Sequence, residues 1–169
     1  IYKEAPKATI KYSTTELTNQ DVTATVLFDN TDILVIIDND TYTFTENGEH
    51  VFTYEDEFGN VGTAVATVNW IDKTAPVATI GYSEVDPTNQ DVTATISFDK
   101  ENVRITNNEG NNAYTFTDKG EFTFEFVDEA GNRGTAVAKV TWIYKEAPTA
   151  TIKYSTTEPT NGDVTAEIY

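Results

Sequence analysis

Apolar and polar side chains alternate along most of this chain in short segments, which are separated by clusters of Asn, Asp, Gly and Thr. In its N-terminal part the alternation occurs at positions 8–12, 22–28, 42–45, 50–55 and 64–70, and a continuous apolar run covers 33–37. A period of two places successive side chains on opposite faces of a β-strand, so the alternation predicts strands with one buried face. The run at 33–37 predicts a strand that is covered on both faces.

The alternating pattern occurs more than once. Residues 5–29 match residues 75–99 at 17 of 25 positions, and residues 42–71 match residues 114–143 at 19 of 30 positions. The offset grows from 70 to 72 between the two blocks, so the second copy carries a two-residue insertion near 107–112. The Asn and Gly residues of this insertion predict a loop.

A third copy begins at Ala147-Pro148 and continues to Tyr169. The repetition predicts four segments, which are the end of a preceding linker (1–4), a first repeat (5–72), a second repeat (73–144) and the truncated start of a third repeat (145–169). The opening Ile-Tyr-Lys-Glu-Ala-Pro recurs at 143–148, so we expect the parent protein to be longer at both ends.

Each full repeat predicts six or seven short strands at intervals of about 8–12 residues, a spacing typical of an antiparallel β-sandwich. The fold class predicted is therefore all-β, with sandwiches in tandem. The linkers at 70–76 and 142–148 are short, and each contains one Pro. They predict restricted hinging between neighbouring repeats, because Pro fixes its own backbone and a short linker has little reach.

The composition excludes several classes of function. The chain has no Cys, which excludes disulfide scaffolds, thiol catalysis and thiolate metal sites. Its net charge of −17 comes from 11 basic and 28 acidic residues, and the basic residues are scattered, so we expect no nucleic-acid partner. No apolar run approaches the roughly 18 residues of a membrane helix, so we expect no membrane insertion.

We also expect that the chain is not an enzyme. It has a single His and no Cys, so a Ser nucleophile would lack its usual base. The acidic residues fall mainly at turns and outward positions. A thin sandwich leaves little room for the cleft in which paired glycosidase carboxylates work.

The segment Asp128-Glu129-Ala130-Gly131-Asn132 precedes the last predicted strand of the second repeat, and Asp56-Glu57-Phe58-Gly59-Asn60 does so in the first. This pattern resembles the D-x-A-G-N signature of bacterial immunoglobulin-like repeats, and the opening Lys73-Thr74-Ala75-Pro76 is also typical of them. The resemblance implies tandem antiparallel Ig-like sandwiches on secreted or cell-surface proteins, where such units act as spacers or present another domain. An extracellular location is therefore expected.

The D-x-x-G-N segments have two interpretations. In the structural one, Gly59 and Gly131 supply a positive φ while the Asp and Asn side chains bond to nearby backbone groups. In the functional one, these side chains bind Ca²⁺, since carboxylate and amide oxygens are its ligands. The resemblance also implies calcium near junctions between repeats. The candidate ligands are Asp56, Asn60, Asp72, Asp128 and Asn132. No cofactor is required in the structural interpretation.

Other candidate positions favour packing over chemistry. His50 corresponds to Phe122 in the second repeat, so we expect it to pack as an aromatic ring. Trp70 and Trp142 end the last strand of each repeat and predict core or junction packing, with a sugar-stacking surface as the alternative. The segment Thr-Asn-Gln-Asp at 18–21 recurs at 88–91 and, as Thr-Asn-Gly-Asp, at 160–163. It predicts a turn before the second strand, with a ligand loop as the alternative.

Three functions remain open at this point. The first is a structural spacer or stalk in an extracellular bacterial surface or filament protein, whose partners are neighbouring repeats of the same chain. The second is a weak multivalent adhesin module that binds a cell-surface glycan or protein, for which the insertion at 107–112 is the natural loop. The third is a polymerising subunit that other copies complete by strand exchange, since the strands of the third repeat lack partners.

Overall fold

The computed structural model describes residues 4–30 and 35–169. Within these residues the chain forms fourteen β-strands, one short 3-10 turn at Asn108–Gly110 and no α-helix. The paired strands are antiparallel throughout, so the all-β antiparallel prediction is confirmed. No helix in this part of the chain has the length and apolar character needed to cross a bilayer.

The described residues of the first repeat contain six strands in two three-stranded sheets. They are β1 (Ala8–Tyr12), β2 (Val22–Phe28), β3 (Val35–Ile36), β4 (Thr41–Phe44), β5 (Gly48–Asp56) and β6 (Val61–Val68). One sheet has the order β1-β2-β4 and the other β3-β5-β6. Apart from β3, each strand overlaps a segment in which the alternating pattern predicted it, because only extended backbone places every second side chain on one face.

The second repeat has the same six strands in the same two sheets. They are β7 (Ala78–Tyr82), β8 (Val92–Phe98), β9 (Arg104–Ile105), β10 (Ala113–Phe116), β11 (Gly120–Val127) and β12 (Arg133–Val140). The sheet orders are β7-β8-β10 and β9-β11-β12. The inserted residues near 107–112 form the turn between β9 and β10, as their composition predicted.

Each repeat has its own hydrophobic core, to which both of its sheets contribute. In the first repeat Val22, Ala24 and Val26 of β2 meet Phe52 of β5 and Ala66 of β6, all nearly inaccessible to water. The second repeat uses the matching positions, with Phe124 of β11 at its centre. The inward positions predicted from the alternation in the first repeat are therefore buried or half-buried, except Tyr42, which is 40% exposed.

The apolar run at 33–37 differs from its prediction. Ile33 and Leu34 lie outside the described residues, and Val35–Ile36 forms the short strand β3. This strand pairs with β5 alone, at the edge of its sheet, and Ile36 is 58% exposed. The prediction of a strand covered on both faces was therefore wrong at Ile36, because an edge strand of a small sheet has no second layer over its outer side.

The C-terminal segment forms a two-stranded hairpin, β13 (Ile152–Tyr154) and β14 (Ala166–Ile168). Ile152 pairs with Ile168 in the register that joins Ile10 to Val26 in the first repeat. Ile152, Tyr154 and Ile168 are 59%, 53% and 75% exposed. The hairpin thus has the local structure of β1–β2 without a core of its own.

Candidate interunit joint

The linker between the two repeats is fixed by the first repeat through backbone hydrogen bonds. The N–H of Thr18 donates to the carbonyl of Trp70 at 3.0 Å, and the N–H of Asp72 donates to the carbonyl of Thr18 at 2.8 Å. The Asn47 amide bonds both the carbonyl and the N–H of Ile71, at 2.9 and 2.8 Å. Because these bonds hold consecutive linker residues, the chain leaves the first repeat in one defined direction.

The two repeats also touch directly. The N–H of Asn19, in the loop before β2, donates to the carbonyl of Ala130 in the second repeat at 3.0 Å. Gly131 lies beside this bond with a φ of 97°, and a Cβ there would come within 3.5 Å of the Asn19 amide nitrogen. Ala130 is only 7% exposed. The predicted turn at 18–21 therefore also serves as a contact surface, which its sequence did not reveal.

A lysine of the second repeat joins the linker to the core of its own unit. The ammonium nitrogen of Lys100 lies 2.8 Å from Oδ2 of Asp72 and 3.1 Å from Oδ2 of Asp128, and it donates to the carbonyl of Thr74. Asn132 donates from its side-chain amide to the carbonyl of Asp72 at 2.9 Å. These contacts give the interunit joint, which we define as loop 18–21, linker 70–76, Lys100 and the turn 128–132.

The charges in the joint stabilise one another. The Lys100 ammonium and the N–H of Thr74 hold the pKa of Asp72 below its ordinary value. Burial by itself would raise the pKa of Asp128, but hydrogen bonds from Asn132 and the charge of Lys100 outweigh it and lower that pKa. Asp72 in turn raises the pKa of Lys100 above its ordinary value, with a smaller contribution from Asp128. All three groups are therefore ionised at neutral pH.

The D-x-x-G-N turns have the structure that the first interpretation predicted. Oδ1 of Asp128 accepts the N–H of Asn132 at 2.8 Å, and its Oδ2 accepts the Asn132 side-chain amide at 3.0 Å. Asp56 and Asn60 make the same two bonds in the first repeat, both at 2.8 Å. Gly59 has a φ of 84°, matching the positive φ of the glycine in the second turn. The predicted turn geometry is confirmed.

The five candidate calcium ligands fall into two groups. Asp72, Asp128 and Asn132 meet at the joint, whereas Asp56 and Asn60 contact each other in the turn of the first repeat. At the joint the Lys100 ammonium lies between Oδ2 of Asp72 and Oδ2 of Asp128. Oδ1 of Asp72 accepts the N–H of Thr74, and Oδ1 of Asp128 accepts the N–H of Asn132. The carboxylate oxygens at the joint therefore already have hydrogen-bond donors, and a metal ion would have to displace the lysine and the amide groups to bind there. Calcium binding by these residues stays a prediction, which a melting curve with and without chelator tests.

The next linker is held in a related way but with different side chains. The N–H of Thr88 donates to the carbonyl of Trp142 at 3.0 Å, and the N–H of Tyr144 donates to the carbonyl of Thr88 at 2.7 Å. Tyr144 replaces the aspartate of the first linker, and the ammonium of Lys119 lies 3.7 Å from the centre of its ring. The backbone bonds are common to both linkers, so they do not depend on which side chain follows.

The tryptophans are structural in this fold. Trp70 and Trp142 are half-buried and pack against the cores of their own repeats. Their indole N–H groups donate to the carbonyls of Thr14 and Glu84, at 3.1 and 2.9 Å. Packing at the end of the last strand, the main prediction for these residues, is confirmed.

His50 packs as an aromatic ring, as its correspondence with Phe122 predicted. Its ring stacks on Tyr42 with 3.8 Å between centroids and an angle of 8°. In the second repeat Tyr114 and Phe122 stack in the same way, at 3.9 Å. The imidazole is therefore part of an aromatic pair that both repeats share.

Sequence reasoning missed Lys100, although a signal was present. Aligning the repeats places Asn30 opposite Lys100, so the lysine occurs in one copy only. Asp72 is likewise the acid of one linker only, where the other has Tyr144. Because the other copy forms the same fold without either residue, the fold requires neither Asp72 nor Lys100. An acid and a base that are both specific to one junction indicate an ion pair there.

Comparison with known proteins gives no family for this chain. No protein-family model and no curated protein matches it. The functional interpretation therefore depends on the contacts of the joint.

Proposed function

We propose that this chain is a structural spacer, a segment of a stalk or filament built from tandem Ig-like β-sandwiches on an extracellular bacterial protein. The observation that carries the proposal is the interunit joint. Backbone bonds from the first repeat and the Lys100 ion pairs from the second hold the same linker. A spacer needs this arrangement, because the distance that it spans depends on the angle at each joint.

Two further features support a mechanical role. The two repeats share their sheets, turns and aromatic pairs, and two of the residues that differ between them, Asp72 and Lys100, form an ion pair in the joint. The net charge of −17 favours an extended, soluble rod, since like charges resist association between neighbouring rods.

The stiffness of the joint can be measured by the distance between two spin labels. The chain has no Cys, so Val51→Cys and Val137→Cys place one label on each repeat, at side chains that are 52% and 54% exposed. We expect one narrow distance distribution in pulsed electron paramagnetic resonance. Lys100→Gln removes the ion pairs with Asp72 and Asp128, so it should broaden the distribution.

A matched variant separates the joint from general charge effects. Lys139 pairs with Glu121 inside the second repeat, and both side chains are more than half exposed. Lys139→Gln removes the same charge as the joint variant and should leave the distribution narrow. A broad distribution in the unmodified chain would mean that the repeats hinge freely, which is incompatible with a spacer of fixed length.

A second candidate, recognition of a glycan or protein by the second repeat, is favoured by one observation. Asn102, Asn108 and Glu109 all have positive φ, a conformation that non-glycine residues rarely adopt and that is often found at binding sites. Asn102 lines a shallow cleft of about 570 Å³ together with Arg104 and Asn112, and Asn108 and Glu109 belong to the turn that precedes Asn112. A binding loop in this position agrees with the two-residue insertion.

A glycan array with the full chain tests this candidate. Arg104→Ala should abolish any signal that arises in the cleft, whereas Arg133→Ala, at an exposed position of β12, should preserve it. Signals that survive both substitutions, or the absence of binding to the array, would leave the spacer as the better proposal.

Strand exchange between copies is the least favoured alternative. The described residues contain three hairpins of the β1–β2 type but two cores to receive them. When a hairpin of one copy replaces the equivalent hairpin of another, one hairpin per chain still remains uncovered. Exchange therefore gains no apolar burial to offset the entropy of association.

A further inference from the structure

The loop before β8 has the same conformation as the loop that forms the joint. The N–H of Gln90 bonds Oγ1 of Thr88 at 3.1 Å, and its side-chain amide bonds Oδ1 of Asn89 at 2.7 Å. The corresponding distances in loop 18–21 are 3.0 and 2.6 Å. Loop 88–91 therefore already has the conformation in which loop 18–21 contacts the second repeat.

The two loops differ in what lies against them. The N–H of Asn19 donates to the carbonyl of Ala130, and Asn19 is half-buried. Asn89 is exposed, and its N–H meets no acceptor in the part of the chain that the structure describes. Loop 88–91 thus presents an organised backbone donor to solvent, at the position where the first repeat uses the same donor for contact.

We propose that loop 88–91 is a docking surface for a further repeat of this type, which presents an Asp-x-Ala-Gly-Asn turn. This inference rests on the proposed spacer function and specifies how the array extends. The ligand is a backbone carbonyl beside a glycine, as at Ala130 and Gly131. Because the contact uses main-chain groups, it transfers from one junction to the next without any matching of side chains.

The residue at the position of Ala130 determines which turn can bind to loop 88–91. Ala130 is 7% exposed at the joint, so the docking turn needs a small residue at this position. The first repeat has Phe58 there, whose side chain is 52% exposed, so its turn in a second copy of the chain is a poorer fit. A tandem repeat that follows the second one is therefore the expected occupant.

The linker brings such a repeat to the right place. Thr88 bonds the residues on either side of Ile143, as Thr18 bonds those on either side of Ile71. The following unit therefore leaves the second repeat along a path equivalent to that of the first linker. This tether raises the effective concentration of the turn at loop 88–91, so a weak contact is sufficient.

The test completes the third repeat and measures amide hydrogen exchange by NMR. Residues 98–144 are copied after Tyr169, which aligns with Ser97 when the repeats are superposed in sequence. In the unextended chain we expect the Asn89 amide to exchange at least about tenfold faster than the Asn19 amide. In the extended chain the Asn89 amide should slow by about tenfold or more, because it gains the carbonyl of the copied turn.

One control variant and one alternative chain make the outcome decisive. Replacing the copied glycine of the turn, equivalent to Gly131→Gln, should restore fast exchange of the Asn89 amide while the added core amides stay protected. If the third repeat does not fold from its own hairpin, a chain in which residues 77–144 replace 149–169 supplies a complete copy of the second repeat.

The proposal is overturned if the Asn89 amide still exchanges rapidly while the added core amides are protected. Protection of the Asn19 amide in the same spectra would show that the first joint is intact, so the spacer function would survive that result. Loss of protection at both amides would contradict the spacer function as well.

Discussion

The glycine in the last strand of the second repeat should be intolerant of even the smallest side chain. Gly134 on β12 lies opposite Phe126 on β11. A Cβ at Gly134 would lie 2.4 Å from Cε2 of the Phe126 ring and 2.7 Å from its Cζ. Carbon atoms in ordinary contact are about 3.5–4.0 Å apart, so Gly134→Ala requires the ring to retreat by about 1 Å.

The ring has little space for this movement. Phe126 is 3% exposed, and its centroid lies 4.7 Å from that of Phe98. Overpacking a close-packed core costs about 1–3 kcal/mol, whereas replacing a strand glycine by alanine returns about 0.5–1 kcal/mol. Gly134→Ala should therefore destabilise the second repeat by about 1–2 kcal/mol, which lowers its melting temperature by about 8 °C for a unit of this size.

The chain supplies both the reporter and the control for this measurement. Each repeat has one tryptophan, so thermal unfolding of a Trp70→Phe background reports the second repeat through Trp142 fluorescence. Gly81 lies in β7 of the same repeat, and no atom lies within 4 Å of a Cβ placed there. Gly81→Ala should leave the melting temperature unchanged or slightly higher.

The reasoning would be refuted if Gly134→Ala melted at the temperature of its background, as the Gly81→Ala control should. The ring would then adjust at no cost, and the close approach of glycine and aromatic ring would not contribute to the fold. The equivalent pair in the first repeat, Gly62 and Tyr54, has a closest distance of 2.5 Å, so its alanine variant should behave like Gly134→Ala.

Two further predictions concern pH and a tyrosine hydroxyl. Hydrogen bonds outweigh burial and lower the pKa values of Asp56 and Asp128, so their contribution to stability is present above about pH 4 and is lost as the pH falls through the folded-state values. Urea unfolding should give a constant midpoint from pH 7 to about pH 4 and a falling one below it, and a midpoint that rises on acidification would contradict this assignment. Tyr82 accepts the N–H of Lys139 at 3.0 Å, so Tyr82→Phe should cost about 1 kcal/mol of unfolding free energy in the same assay. The equivalent Tyr154 is exposed in the C-terminal hairpin, so Tyr154→Phe should have no effect, and equal losses at both positions would count against the hydrogen bond.

The strands and the core were predictable because their signal is local. Side chains two apart in an extended segment share a face, so Val22, Ala24 and Val26 identify a buried strand face without knowledge of its partner. The turns at Gly59 and Gly131 were predictable for the same reason, since a positive φ depends on the residue itself. Exposure at Ile36 was not predictable, because the position of a strand within its sheet depends on pairing with distant residues.

The sequence by itself determined the repetition, the strands, their inward faces and the turns that separate them, all of which follow from the order of neighbouring residues. Only the tertiary structure decided what happens between the repeats. The contact of Asn19 with Ala130 joins residues far apart in the chain through main-chain atoms, which every residue has and no sequence pattern marks. The position of Lys100 between Asp72 and Asp128 likewise requires the linker to be folded against the second repeat, because its two partners come from separate segments.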